Sequence, residues 1–420
     1  PGEAAKSLAE VMLSHPPVKG ASVGLPYYVG FPGKAQWGKD PKVDEKVFSD
    51  ALIFFKNICL KPETEFTEWL NNFKVKRPDV FCLMLKRKRF LYEVASVRRK
   101  IRPYFVVSGA IAQAERPLTE FLRHLHQNYC ENRESISAYR TSCFGDGKKS
   151  GAERMRENLD HDKLVFVYDK GEHSGRIAWS PITFSDDGLS QITIELDGKK
   201  KVYSVETDIA AHDLHVPMTV GAILRLRTLR GCTGQTTRIM TNLFLLLLSN
   251  MFSANVATGG AGFAHSAYSL KTGHPITTLI GELAQALDIR LWWSALRTKF
   301  RLAVLNGNPI GKEWLEEAFE DLSNLPGVRA SFKEVLVRRV DNLPEGGTFG
   351  QFLGLNLRKR SSEPCGWRLE PDSRKLWIHL LYPKSKSSLD LTKARCIGLA
   401  IASGGYDDAL YDAIELIYMK

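Results

Sequence analysis

Between residues 182 and 208 the sequence specifies a hairpin whose register can be counted. Positions 182–196 alternate well enough for two strands joined at Asp186-Asp187, Asp197-Gly198 is a tight-turn signal, and 200–207 reads as a further strand. With the second turn centred between 197 and 198, Asp208 falls opposite Asp187 and beside Asp186. One edge of a sheet would then carry three carboxylates. Two unit charges about 4 Å apart repel by roughly 4 kcal/mol at an effective dielectric near 20, so such a cluster calls for cations. Mg²⁺ is commonly held by carboxylates together with phosphates, and paired metals run phosphoryl transfer. The competing reading is that Asp186-Asp187-Gly188 and Asp197-Gly198 are ordinary turns, where Asp and Gly are favoured for their backbone alone. The register with Asp208 counts against it.

A chain of 420 residues exceeds one ordinary core, so two or three lobes are expected. Its formal charge of +11 favours an anionic partner, nucleic acid before membrane, because no lipidation motif or basic amphipathic anchor appears. The longest strongly apolar run, 243–248 extended to 252, is far short of a membrane span and reads as a buried helix. The seven cysteines form no CxxC pair, which argues against a disulfide framework or zinc ribbon and for a reducing compartment. There is no signal peptide, and Pro1 is not an initiator methionine, so a fragment or processed product is expected. Helices are expected at 46–56, 63–73 and 117–131, a loop at 145–156, and sheet from 164 to 208. Helices then dominate to about 330, followed by short strands at 350–357 and 375–381 and a closing helix from 391.

The order of further segments carries a resemblance. Asp208-Ile-Ala-Ala-His-Asp213 has the form of motif A of viral RNA-dependent RNA polymerases, and Thr272-Gly273-His274-Pro275-Ile276-Thr277 resembles their motif B loop. Positions 312–325 with Gly327-Val-Arg-Ala-Ser-Phe-Lys333 resemble motif D, Phe352-Leu353-Gly354-Leu355 the motif E turn, and Arg98-Arg99-Lys100-Ile101-Arg102-Pro103 the basic motif F. Motif C is absent between B and D, where Asp288 is the sole aspartate, while Ser185-Asp186-Asp187 stands just ahead of motif A. A C-A-B order is the mark of the permuted polymerases of birnaviruses and permutotetraviruses. The resemblance extends over roughly residues 95 to 410, including a thumb-like stretch from Tyr382-Pro383-Lys384 to Gly404-Gly405-Tyr406. The sequence is shorter than those enzymes, so flanking domains are expected to be missing from it.

The resemblance implies an α+β right-hand polymerase with a central antiparallel palm sheet and permuted connectivity. Fingers would occupy 1–160, a palm 161–355 with a helical insertion at about 214–265, and a thumb 356–420. It implies RNA-directed RNA synthesis from nucleoside triphosphates, with Mg²⁺ or Mn²⁺ held by Asp186, Asp187 and Asp208. Arg98, Arg99, Lys100 and Arg102 would neutralise the triphosphate, and Asp213 would accept a hydrogen bond from the ribose 2′-hydroxyl. Gly273, Thr277 and Thr278 would line the nucleotide, and Lys333, by loop position, would donate a proton to pyrophosphate. The expected partners are template and product RNA and other viral proteins, with no membrane, in host cytoplasm or virion. Two departures stand out: Gly281 occupies the usual motif B asparagine position, and Ser185 the usual glycine of motif C.

Several look-alikes are set aside. Gly404-Gly405-Tyr406-Asp407-Asp408 mimics an unpermuted catalytic turn but reads as a helix start with acids in its first turn. Thr233-Gly234 through Asn242 imitates motif B too close to Asp213 and leads into the Leu-rich helix. His212/His215 and His124/His126 lack a third metal ligand, and Gly145-Asp-Gly-Lys-Lys-Ser150 lacks Walker spacing. The basic run 86–89 suits either RNA backbone or a solvated face. Two rival functions remain: an RNA-binding nucleoprotein or inactive polymerase-like subunit, which needs no carboxylates, and a two-metal nuclease, which needs no triphosphate site.

Overall fold

The computed structural model describes residues 10–11, 19–87, 103–130, 149–170, 173–258, 262–267, 270–271, 273–274, 276–325, 331–382 and 388–419. After a one-turn helix at Tyr27–Gly30 come α1 (Pro41–Leu60), α2 (Glu63–Lys76), α3 (Gly109–Ala114), α4 (Arg116–Cys130) and α5 (Gly151–Asp160). They are followed by α6 (Met218–Leu229), α7 (Gly234–Met251), α8 (Thr277–Leu305) and α9 (Lys312–Ser323), and by α10 (Ser373–Leu381), α11 (Leu389–Ser403) and α12 (Asp408–Met419). The strands are β1 (Cys82–Arg87), β2 (Pro103–Val106), β3 (Leu164–Lys170), β4 (His173–Phe184), β5 (Asp187–Leu196) and β6 (Lys199–Ile209). After them come β7 (Ser253–Thr258), β8 (Gly262–Ala267), β9 (Phe332–Arg339), β10 (Thr348–Phe352), β11 (Leu355–Lys359) and β12 (Trp367–Pro371). The chain divides into two compact units, Pro1–Asn128 with Ala211–Ala284, and Tyr129–Ala210 with Gln285–Lys420.

In the first unit α1 starts where Asp40 accepts the Lys42 N–H and Pro41 fills the first turn, both favourable at a helix start. Its buried face, Val43, Val47, Ala51, Phe54 and Ile58, packs in one core with the buried side of α7, including Leu243, Phe244, Leu246 and Leu247. The apolar run is thus the interior helix expected of it. Buried Asn242 on α7 donates to the carbonyls of Ile58 (3.0 Å) and Lys61 (2.9 Å), satisfying the C-terminal end of α1. The asparagine of the motif B look-alike is therefore a helix cap. A four-stranded sheet runs β2-β1-β7-β8, with β1 and β7 parallel.

The second unit is built on a five-stranded antiparallel sheet ordered β3-β4-β5-β6-β9. Side chains alternate between its faces. One face presents Ile177, Trp179, Ile192, Ile194, Tyr203, Val205 and Val337 to Ile289, Trp292, Leu296 and Phe300 of α8 and to Leu315 and Phe319 of α9. The other presents Ile182 and Leu189 to Met155 and Leu159 of α5 and to Phe349, Phe352 and Leu357 of the small sheet β10-β11-β12. Both faces being covered, most of β5 is buried without interruption. The terminal helices share their own cluster, Leu376, Leu380, Cys396, Leu399, Leu410 and Ile414.

Four sequence expectations need correction. The strand expected at 375–381 is helix α10, capped by the Asp372 carboxylate on the Arg374 N–H and burying Leu376 and Leu380 one turn apart. The loop expected at 145–156 gives way to α5 from Gly151, because Ser150 Oγ accepts the Glu153 N–H at 3.1 Å and caps a helix. A β7–β8 hairpin also interrupts the stretch expected to be helical. The segment expected as one strand at 350–357 is two strands turning at Leu353-Gly354.

Candidate active site at the acidic end of the five-stranded sheet

β4 pairs Phe184 with Asp187 of β5, leaving Ser185-Asp186 as a two-residue turn. Ser185 adopts φ +59°, a left-handed conformation that costs a non-glycine residue roughly 1 kcal/mol. At the far end of β5, Asp197 (φ +51°) and Gly198 (φ +75°) make the tight turn that the sequence announces. The counted register holds: Asp187 pairs with Asp208 and Gly188 with Thr207. A Cβ on Gly188 would come within 2.4 Å of Thr207 Oγ1, so the glycine after the two aspartates permits this close pairing. The Ile209 N–H donates to the Asp186 carbonyl at 3.0 Å, tying the turn to the end of β6.

The carboxylates have defined partners. Asp208 forms a hydrogen-bonded ion pair with Lys333. Lys333 belongs to β9 and not, as expected, to a loop, because 332–339 pairs along β6 with Asp208 opposite Glu334. Asp187 Oδ2 accepts the Leu353 N–H at 2.6 Å from the β10–β11 turn, where Leu353 takes φ +51°. The neighbouring Gln351 N–H donates to Glu206 Oε1 at 2.9 Å, and Glu206 pairs with Arg338. β10 lies so close to β5 that a Cβ on Gly350 would sit 2.5 Å from Leu189 Cδ1. Burial pushes the Asp187 carboxyl up to about 6; the negative charges of Asp186 and Asp208 add to the rise, and the Leu353 and Gly188 amides oppose it.

Among the described residues, no group of three or more His, Cys, Asp or Glu side chains is gathered as a ready-made metal cage. Mg²⁺ does not require one, since it keeps waters and takes one or two carboxylates plus substrate phosphates. The donor set is hard oxygen only, and the Asp187 carboxyl is raised first by burial and then by the charges of Asp186 and Asp208. These residues fit a divalent cation of that type.

The other expected site residues belong to the first unit. Asp213 lies in a short 3₁₀ turn, His212–His215, and its carbonyl accepts the Leu270 N–H at 3.1 Å. Gly273 has φ +113°. The Thr277 hydroxyl, at the start of α8, donates to the His274 carbonyl at 2.8 Å. Thr278 follows in the first turn, half-buried. Thr272, Pro275, Arg98, Arg99, Lys100 and Arg102 lie outside the described residues. Asp288 is buried on α8, which excludes a second acidic turn there. Asp407 accepts the Leu410 N–H at 3.0 Å and the Ser373 hydroxyl, which together hold its carboxyl below the usual range: it caps α12. Sequence reasoning missed Leu353 and Glu206. Leu353 acts through its backbone and leaves no side-chain signature, whereas Gly188 was visible in the Asp-Asp-Gly triplet.

No protein-family model matches the sequence, and no curated protein does either. Solved structures match over nearly its whole length. The birnavirus VP1–VP3 complex aligns with a TM-score of 0.61 and 15% identity over 96% of this chain and 52% of the other. The RNA polymerase VP1 of infectious pancreatic necrosis virus aligns with a TM-score of 0.61 and 16% identity over 97% of this chain and 53% of the other. The chain therefore spans about half the length of these two structures. Its α+β architecture is the fold of the birnavirus polymerase structures it matches.

Proposed function

We propose that this chain is the polymerase core of a viral RNA-directed RNA polymerase with its palm motifs in the order C-A-B. The observation that carries the reading is the pairing of Asp187 with Asp208, with Asp186 held by its carbonyl to the end of β6, inside a polymerase fold. Asp186 and Asp208, with Asp187 assisting, would hold Mg²⁺ or Mn²⁺, which supplies charge stabilisation to phosphoryl transfer when bound. The ammonium of Lys333, already at the acidic end, carries a proton for the departing pyrophosphate. Arg98, Arg99, Lys100 and Arg102 neutralise the triphosphate. Asp213 accepts the ribose 2′-hydroxyl, assisted by Gly273, Thr277 and Thr278 in place of the missing asparagine. Fingers, palm and thumb divide as 1–160, 161–355 and 356–420.

Template and product RNA are the partners, bound through phosphates and hence weakened steeply by salt. A further viral protein is the other proposed partner, since one matched structure is of the birnavirus VP1–VP3 complex. The proposed place of work is host cytoplasm or virion; no helix among the described residues is long and apolar enough to cross a membrane.

The test supplies RNA template, nucleoside triphosphates and Mg²⁺ or Mn²⁺ to the native chain, Asp186→Ala and Asp407→Ala. Template-dependent extension lost in the first variant and kept in the second is expected. The reverse pattern overturns the permuted assignment. RNA binding without synthesis by the native chain favours the nucleoprotein reading, and RNA degradation favours the nuclease.

A further inference from the structure

The loop from 270 to 277 is anchored at Leu270, Lys271, Gly273, His274 and Thr277. The Leu270 N–H donates to the Asp213 carbonyl at 3.1 Å and the Lys271 N–H to the Met251 carbonyl at 3.0 Å. The fully buried Lys271 ammonium donates to the Phe252 carbonyl at 2.9 Å. Gly273 backs onto β2 so closely that a Cβ would lie 2.1 Å from the Phe105 carbonyl oxygen. Next to it, His274 Nδ1 meets Glu115 Oε2 at 2.9 Å, with both side chains wholly excluded from solvent.

Glu115 is itself fixed. It sits at the junction of α3 and α4, its N–H donating to Ile111 and its carbonyl accepting from both the N–H and the hydroxyl of Thr119. α3 is almost entirely buried and follows β2, which begins directly after the basic residues 98–102. One stretch of chain therefore runs from the basic segment through Phe105 to Glu115 and carries both contacts of the loop. The loop stem in turn holds the carbonyl of Asp213.

A buried polar pair is a poor way to gain stability, because desolvation offsets most of its attraction and an apolar pair of similar volume often does as well or better. Here Glu115 Oε1 and His274 Nε2 are also buried without a hydrogen-bond partner among the described residues. What such a pair does supply is direction: one loop conformation against one helix junction.

We infer that His274, held by Glu115, is a positioning residue that fixes the glycine loop against β2 and the α3–α4 junction, so that the loop meets the nucleotide in one conformation. This rests on the polymerase reading. It assigns the pair to nucleotide affinity and sugar discrimination, not to the chemical step.

The test compares the native chain with Glu115→Gln and with the double variant Glu115→Met/His274→Leu. Glu115→Gln keeps an acceptor for the imidazole N–H and should leave the KM for nucleoside triphosphates within about threefold of native. The double variant should keep its unfolding midpoint, yet raise that KM and lower ribose-over-deoxyribose preference each by about tenfold, with kcat little changed. Unchanged KM and preference in the double variant overturn the inference, as does a loss that merely follows lowered stability. Hydrogen exchange over 270–280 separates this from the polymerase reading: faster exchange there alone in the double variant supports the latch even if the native chain makes no RNA. Unchanged exchange sinks it.

Discussion

Asp186-Asp187 and Asp407-Asp408 are the same dipeptide on different scaffolds. At the sheet end, β-pairing sets Asp187 against Asp208, and burial with two neighbouring negative charges pushes its carboxyl up to about 6. At the start of α12, the Ser373 hydroxyl and the Leu410 N–H satisfy Asp407 and hold its carboxyl below the usual range. A helix start satisfies an aspartate, whereas the sheet end partly buries one beside two others, a cost that the Leu353 and Gly188 amides do not offset. The two directions of shift distinguish a helix cap from a half-buried carboxyl among like charges.

The largest expected difference is in activity. Asp186→Ala should lower nucleotide incorporation by roughly a thousandfold or more, as removal of a transition-state contact does, while Asp407→Ala retains it. Equal losses would erase the distinction between the pairs.

Next comes the pH dependence of stability without divalent cation. The folded Asp187 carboxyl titrates near 6, above its ordinary 3.8, so the folded state holds that proton more tightly. Its contribution is full below about 3.8, declines as pH rises and is gone above about 6, a swing of at most about 3 kcal/mol before screening by solvent. Denaturant unfolding from pH 4 to 7 should show this fall, and Asp187→Asn should flatten it. Asp407 works in the opposite sense, its stabilisation being lost as the medium turns acidic.

Gly188→Ala should cost about 2 kcal/mol in urea unfolding, because the new methyl meets Thr207 Oγ1 and the hairpin must yield. A cost near zero would mean that β5 and β6 can separate at their acidic end. The smallest effect is Ser185→Gly, which relieves the left-handed turn and should stabilise by about 0.5 kcal/mol in the same assay.

The hairpin register was legible because Asp197-Gly198 is a strong local turn signal and the alternation leaves one way to pair 187 with 208. The cap at Asp407 was legible for the same reason, as local side chain to backbone chemistry. Less legible was β7–β8, whose sequences Ser-Ala-Asn-Val-Ala-Thr and Gly-Phe-Ala-His-Ser-Ala lack the bulky alternation of a half-buried strand and owe their pairing to β1. Lys333 was read as a loop residue, since only the long-range pairing of β9 with β6 brings it to Asp208. The amide of Leu353 at Asp187 could not be read at all, because any residue but proline offers one.

The acidic end also bears on how the chain folds. Asp186, Asp187 and Asp208 are brought together by consecutive strands, so short-range contacts assemble them with little loop-closure entropy. Their counter-ion arrives much later along the chain, with Lys333 on β9. A nascent β4-β5-β6 meander must therefore form while its own charges repel, and salt or mild acid, by screening or neutralising them, should accelerate that early step of folding.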